Sequence, residues 1–289
     1  MNRPEPRGKD NNTGGYRVFI YKEPRSRALD IEKIYHYVET KLPQLSIELR
    51  GDFIHHYLST IPVSEKENKI NLLAYKFAQL RISDPHRKQV EKEDPLAGET
   101  NFEKKRLQNF EFSTSGILYQ GEELMHLLRE LLWEKERNLN NIHIIYTNQL
   151  LGSWNDEDKR YHARVSLYGF PNLISTTGVV AAPAKPREYY LLRKTMSMAG
   201  NSISPELSQQ YSEECLSKED PRLTEVLKGY ALQAVFYHFT GNPFCTDPYC
   251  RLYNGHWQKE VIRAQLEGER ELCPYHDKVL LSLGREDLT

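Results

Sequence analysis

Three of the four cysteines in this 289-residue chain fall within its last 45 residues, and their spacing limits what the C-terminal end can fold into. Cys245 and Cys250 form C-x4-C, and Cys273 with His276 forms C-x2-H. Four soft or borderline donors in two close pairs suit a tetrahedral zinc ion, because each pair supplies one edge of the tetrahedron and the intervening segment brings the edges together. That segment, GHWQKEVIRAQLEGEREL at 255–272, reads as a helix with one pair at each end. With all four positions filled by protein, a zinc (Zn2+) here has no open site; its expected role is structural, in a segment with little core of its own. The plain alternative is three buried apolar cysteines and a surface His276. Disulfide frameworks belong to smaller, cysteine-richer secreted chains, so the clustering favours metal.

The stretch before the cysteines has helical periodicity. Leu223, Val226, Leu227, Tyr230, Ala231, Ala234, Val235 and His238 recur at the three-and-four spacing of one face, so His238 closes an apolar stripe. Gly241 follows where the chain needs to reverse. At the other end, YRVFIYK at 16–22 alternates like a strand, Asp30 is placed to cap a helix over 31–41 that Pro43 ends, and LSIELR at 45–50 reads as a second strand. This βαβ-like opening predicts a mixed sheet. Helical patterns recur at 65–81 and 121–137, and strands are expected at 141–147, 162–170 and 176–183. The polar stretch 83–105 carries two prolines and reads as a long exposed excursion and the best internal boundary. The expected organisation is a flexible tail at 1–15, an N-terminal α/β region at 16–105, and a region at 106–289 ending in the Cys3His site. The fold class is α/β, a mixed sheet with packed helices and a zinc-bound C-terminal segment.

A chain of this length with 39% hydrophobic residues can bury a sizeable core. Its 39 basic and 40 acidic side chains are interspersed, giving a net charge of -1, which argues against sequence-independent binding of nucleic acid or anionic membranes. The longest nearly apolar run, 230–239, is about half of what a bilayer-spanning helix needs. The polar N-terminus has no signal-peptide core, so a cytoplasmic location is expected. No glycine-rich phosphate loop or internal repeat is present, and the oligomeric state is not readable from the sequence.

Residues 234–276 resemble the archaemetzincins, a branch of the metzincin zinc peptidases. That family carries H-E-x-x-H-x-x-G-x-x-H followed at once by C-x4-C-x-M and, about twenty residues on, C-x2-C. Laid on this pattern, Cys245, Cys250, Cys273 and His276 take the four structural-zinc positions, the last with a Cys-to-His exchange that zinc accepts. Gly241 takes the motif glycine and His238 the second histidine. The remaining catalytic positions depart from the pattern: Ala234 stands for the first histidine, Val235 for the general-base glutamate, Phe244 for the third histidine and Leu252 for the methionine. YHFTGNPFC, CRLYNGHWQ and PAKPREYY are similar to an archaeal family related to this group, mainly over 140–280. The resemblance thus implies a metzincin-like fold with an intact structural half and a degenerate catalytic half, His238 being its remnant.

A zinc peptidase needs a metal that lowers the pKa of bound water and a glutamate that takes its proton. One histidine supplies neither. His256 with Glu260 at i+4, and more weakly Asp247, His162 and Glu188, are the substitutes the sequence offers; for His238 the competing reading is a core histidine bonded to backbone, and for His256 a helix-start or surface residue. The segment STTGVVAAPAKPREYYLLRK at 175–194 is a candidate edge strand and rim for an extended peptide, or equally an ordinary strand followed by a proline-broken loop. Within it, Lys185, Arg187 and Arg193 with Tyr189 and Tyr190 would suit an anion. Two functions compete: a zinc hydrolase with nonstandard ligands, and a zinc-stabilised pseudoenzyme that binds peptide or another ligand. A zinc-ribbon-like contact to nucleic acid is a distant third. The chemistry favours lost or altered peptidase activity.

Overall fold

The computed structural model describes residues 15–23, 28–89, 94–109, 116–198, 211 and 213–283. All but the last residue of the expected N-terminal tail lies outside this set. The opening follows the sequence pattern. Strand β1 (Arg17–Tyr21) leads to helix α1 (Ile31–Lys41), capped by the Asp30 carboxylate on the Lys33 N–H at 3.1 Å, and then to β2 (Ser46–Arg50). Helices α2 (Phe53–Ser59), α3 (Val63–Gln79) and α4 (Ala97–Gln108) follow, and β3 (Leu118–Gln120) runs directly into α5 (Gly121–Leu131). Next come β4 (Asn141–Thr147), β5 (Leu150–Asn155), β6 (Arg160–Arg164), β7 (Ser166–Leu167) and β8 (Asn172–Ser175). The rest is helical: α6 (Thr176–Ala181), α7 (Arg187–Met198), α8 (Leu223–Thr240), α9 (Gln258–Ile262) and α10 (Pro274–Ser282).

The main sheet has the order β2-β1-β4-β8-β7, parallel except for β7, which is antiparallel to β8. Period-two alternation assigns its side chains to two cores. Val18, Ile20, Ile142, Ile144 and Ile174 face α1 and α8, whereas Phe19, Tyr21, Ile145 and Leu173 face α2, α3 and α5. A second sheet, β3-β5-β6, has β5 and β6 antiparallel. At Val165 the chain leaves β6 of one sheet and enters β7 of the other, so the strand expected at 162–170 is divided between them. Helix α8 is buried almost all round: twelve of its residues, Gln233 included, are shielded from solvent, a wider apolar surface than one stripe.

Four expectations are corrected. Residues 176–183 form α6 rather than a strand, because the Ser175 hydroxyl accepts the Gly178 N–H at 2.8 Å and starts a helix despite the β-branched residues. Gly178 also fits closely there, since a Cβ would lie 2.3 Å from the Arg164 carbonyl. The proline-broken stretch continues as α7, so 175–194 is not an edge strand. The exposed excursion becomes helical from Ala97, where Glu103, fully buried, accepts from Tyr119 (2.8 Å) and Arg106 (2.7 Å). The helix expected over 255–272 shortens to α9 and a π-turn at Arg263–Glu267. Among the described residues no helix is long and apolar enough to cross a membrane.

A closed polar network joins β1, β2 and β4. Arg50 grips the Glu136 carboxylate with two bonds of 2.9 and 2.8 Å and donates to the Tyr21 oxygen at 3.0 Å. The Tyr21 hydroxyl proton therefore points to His143 Nδ1 (3.2 Å), and His143 Nε2–H donates to the Glu136 carbonyl (3.2 Å). Burial pushes the His143 pKa down to about 4. The neutral ring is the folded form, so its contribution is complete above the ordinary histidine pKa of about 6.5 and is lost as pH falls towards 4, by roughly 2–3 kcal/mol at pH ~4.5. Urea unfolding at neutral pH and near pH ~4.5 should show this loss, and His143→Gln, which keeps a donor and an acceptor, should flatten it. An unchanged slope in the variant would place the acid sensitivity elsewhere.

Candidate metal centre and cleft

Helix α8 ends at Gly241, whose φ of 71° is the left-handed conformation that lets the chain turn back. The returning chain forms a compact knuckle. Cys245 bridges to the strand-like Tyr253 segment through its N–H on the Leu252 carbonyl (2.9 Å), and Cys250 closes a turn onto the Asp247 carbonyl (3.1 Å). Leu252 is fully buried and anchors the knuckle in the α8 core. Arg251 N–H reaches the Glu271 carbonyl (2.8 Å), bringing the second ligand pair alongside. Cys273 is the N-cap of α10, with Pro274 at the first helical position, and His276 lies one turn on.

The four donor atoms of Cys245, Cys250, Cys273 and His276 lie within 4.8 Å of one another. The Sγ atoms of Cys245 and Cys273 are 3.8 Å apart, which is about 3.8 Å for two thiolates on one tetrahedral zinc, given Zn–S bonds of about 2.3 Å. It is far beyond a disulfide bond, and all four cysteines of the chain are free thiols. His276 Nδ1 approaches the Cys273 Sγ at 3.1 Å, so Nδ1 is the nitrogen aimed at the centre. Backbone N–H groups of Asp247 (3.3 Å) and Cys273 (3.5 Å) point at the sulfurs of Cys245 and Cys250, and the start of α10 adds a positive helix end. Burial pushes the Cys250 thiol up to about 12, raises Cys245, and lowers His276 towards its neutral, ligating form. A divalent ion would therefore displace thiol protons, with the N–H groups and helix end favouring the resulting thiolates. In donor chemistry and spacing the residues present fit zinc.

The other candidates are dispersed. His238 is half-buried at the far end of α8, its ring edge-on to Tyr16 at 5.9 Å and beside the Leu139 backbone, and burial lowers its pKa. Ala234 and Val235 are fully buried in the apolar core. Glu260 accepts the N–H groups of His256 (2.8 Å) and Trp257 (3.0 Å) as the cap of α9. Asp247 closes its own turn on Tyr249 N–H (3.0 Å), His162 pairs with Asp158 (2.7 Å), and Glu188 is exposed in the first turn of α7. The Lys185 ammonium lies over the Tyr189 ring at 4.7 Å. Among the described residues no second metal-ligating cluster forms.

Beside the knuckle lies a cleft of about 620 Å³. The β6–β7 ribbon forms one wall, Tyr230, Gln233 and Tyr237 of α8 the other, and Phe244, Tyr253 and His256 close it on the knuckle side. Gln233 ties the parts together: its Oε1 accepts from the Tyr168 hydroxyl (2.5 Å) and its Nε2 donates to the Arg251 carbonyl (3.2 Å). Gln233 lies outside the apolar stripe that periodicity picks out, although a lone amide in a largely apolar helix is a readable signal. Thus α8 turns Gln233 and Tyr237 to the cleft, while the Ala234 and Val235 positions turn to the core.

No curated protein matches the chain. Among solved structures, archaemetzincin from Methanopyrus kandleri aligns over 94% of this chain and 96% of its own, at 11% identity and a TM-score of 0.43. A family model described as a probable metallopeptidase family (DUF6775) matches residues 15–283. Since that match spans nearly the whole sequence, the protein belongs to the probable metallopeptidase family DUF6775.

Proposed function

We propose that the protein is a zinc-clamped member of its family whose cleft binds extended peptide and whose standard zinc-peptidase chemistry is lost. The observation that carries this reading is the distribution of metal donors. The cluster among the described residues is a four-donor set with no position for water, while the α8 side chains lining the cleft are Tyr230, Gln233 and Tyr237, and Ala234 and Val235 are buried in the core. Cys245, Cys250, Cys273 and His276 would hold the ion, which when bound supplies a cross-link rather than an activated water. The chain's own residues provide the cleft. In the β7–β8 ladder the Ser175 N–H bonds the Val165 carbonyl (2.7 Å), so Val165 belongs to the hydrogen-bonded pairs and Ser166 directs its N–H and C=O outward, to the free sheet edge lining the cleft. Such an edge accepts an added strand. On this reading the peptide surface is β7 rather than residues 175–194.

Elemental analysis of purified protein should give one zinc per chain, retained in His238→Ala and lost in Cys273→Ser. Two zincs, the second lost with His238→Ala, would restore the hydrolase. Removing the ion by Cys273→Ser should lower the melting temperature by roughly 10 °C, because a structural zinc contributes its binding energy to folding. Zinc-loaded protein should cleave casein no faster than its His238→Ala variant does; a turnover present only in the parent would overturn the pseudoenzyme reading.

A further inference from the structure

We infer that the peptide received by this cleft carries a carboxylate, which Arg164 binds; the inference rests on the peptide-cleft reading above. Among the described residues twenty line the cleft and none is Asp or Glu, whereas the chain, with 40 acidic residues in 289, would place about three in such a set at its average density. The lining does contain Arg164, His162 and His256. Two carboxylates reach rim residues from outside, and both are engaged: Asp158 on His162 (2.7 Å) and Glu260 on the backbone of His256 and Trp257. Among the described residues Arg164 is therefore the one side chain of fixed charge in the lining, and no acid–base pair among them neutralises it.

Its placement suits recognition. Arg164 is half-buried, and its Nε donates to the Ser153 hydroxyl at 2.6 Å, which orients the guanidinium and leaves the two Nη groups for a ligand. A fork held in this way matches the two oxygens of a carboxylate, and partial shielding from water strengthens the pairing. Ser166, two residues along the same ribbon, offers outward main-chain groups, so a peptide paired at β7 brings a side chain within the neighbourhood of Arg164. The opposite wall, with Tyr237 and Phe244, supplies flat apolar surface for the flanking residues.

Titration calorimetry of the zinc-containing full chain tests this with capped peptides of one threonine–valine sequence, differing only in Glu, Gln or Lys at a central position. A fourth peptide, the Gln sequence with a free C-terminus, separates a side-chain carboxylate from a terminal one. The Glu peptide or the free-C-terminus peptide should bind about tenfold tighter than the capped Gln peptide, and Arg164→Gln should remove that preference while leaving capped Gln binding in place. Ser166→Pro, which deletes an edge donor, should weaken all the peptides alike. If neither the Glu peptide nor the free-C-terminus peptide binds tighter than capped Gln, or if Arg164→Gln keeps the preference, the carboxylate inference fails and the peptide cleft stands. If none of the peptides binds to the parent protein, both readings fail.

Discussion

Helix α8 has no face that can be left in water, and the rest of the molecule is arranged around that requirement. Its buried residues run from Leu223 to Phe236, and each large apolar side chain among them contributes on the order of 1.5–3 kcal/mol only if something covers it. Helix α1 covers one side, strands β4 and β8 another, and the cysteine knuckle with its π-turn a third. The Tyr146 hydroxyl donates to the Leu227 carbonyl (3.1 Å), so even the contact with the sheet is fixed by a polar bond. Thr224 and Gln233 are the polar residues among them, and the Gln233 amide joins the cleft to the knuckle because a buried amide has to find partners.

The knuckle is also held from the N-terminal half. Arg251, almost fully buried, meets Glu225 of α8 and Glu271 (3.3 Å), and its guanidinium lies over the Tyr37 ring of α1 at 5.2 Å. Tyr37 in turn donates to Glu271 (3.2 Å), and Lys41 of α1 reaches the same carboxylate. A buried arginine is tolerable when its charge is matched, here by two carboxylates and an aromatic face. The metal ligands are thus presented by a loop whose geometry is already fixed by packing and charge.

Sequence patterns that depend on neighbouring residues were legible. The alternation in β1, the Asp30 cap, the periodicity of α8 and the reversal at Gly241 all act over a few positions. The ligand spacing was legible for the same reason, since each pair sits within one turn of chain. Strand propensity misled at Thr176–Ala181, where one hydroxyl cap outweighed two valines and two threonines. Helix α4 escaped because its buried face is built from Glu103 and Leu107 rather than from a continuous apolar stripe. The cleft was least visible: Arg164, Gln233 and Tyr253 come from segments whose meeting is a property of the whole fold. His238 was placed correctly on an apolar helix, but only the structure sets it beside Tyr16 and Leu139.

The sheet order has a consequence for biosynthesis. Strand β1 lies between β2 and β4, so when the first fifty residues leave the ribosome one edge of β1 has no partner until Asn141–Thr147 have been made. Helix α1 waits longer still, since Thr224 accepts the N–H of Asp30 across 194 positions and Gln44 binds the Leu283 carbonyl across 239. A nascent chain with an open strand edge and the uncovered apolar face of a helix through most of its own translation is exposed to aggregation, and slow translation would lengthen that exposure.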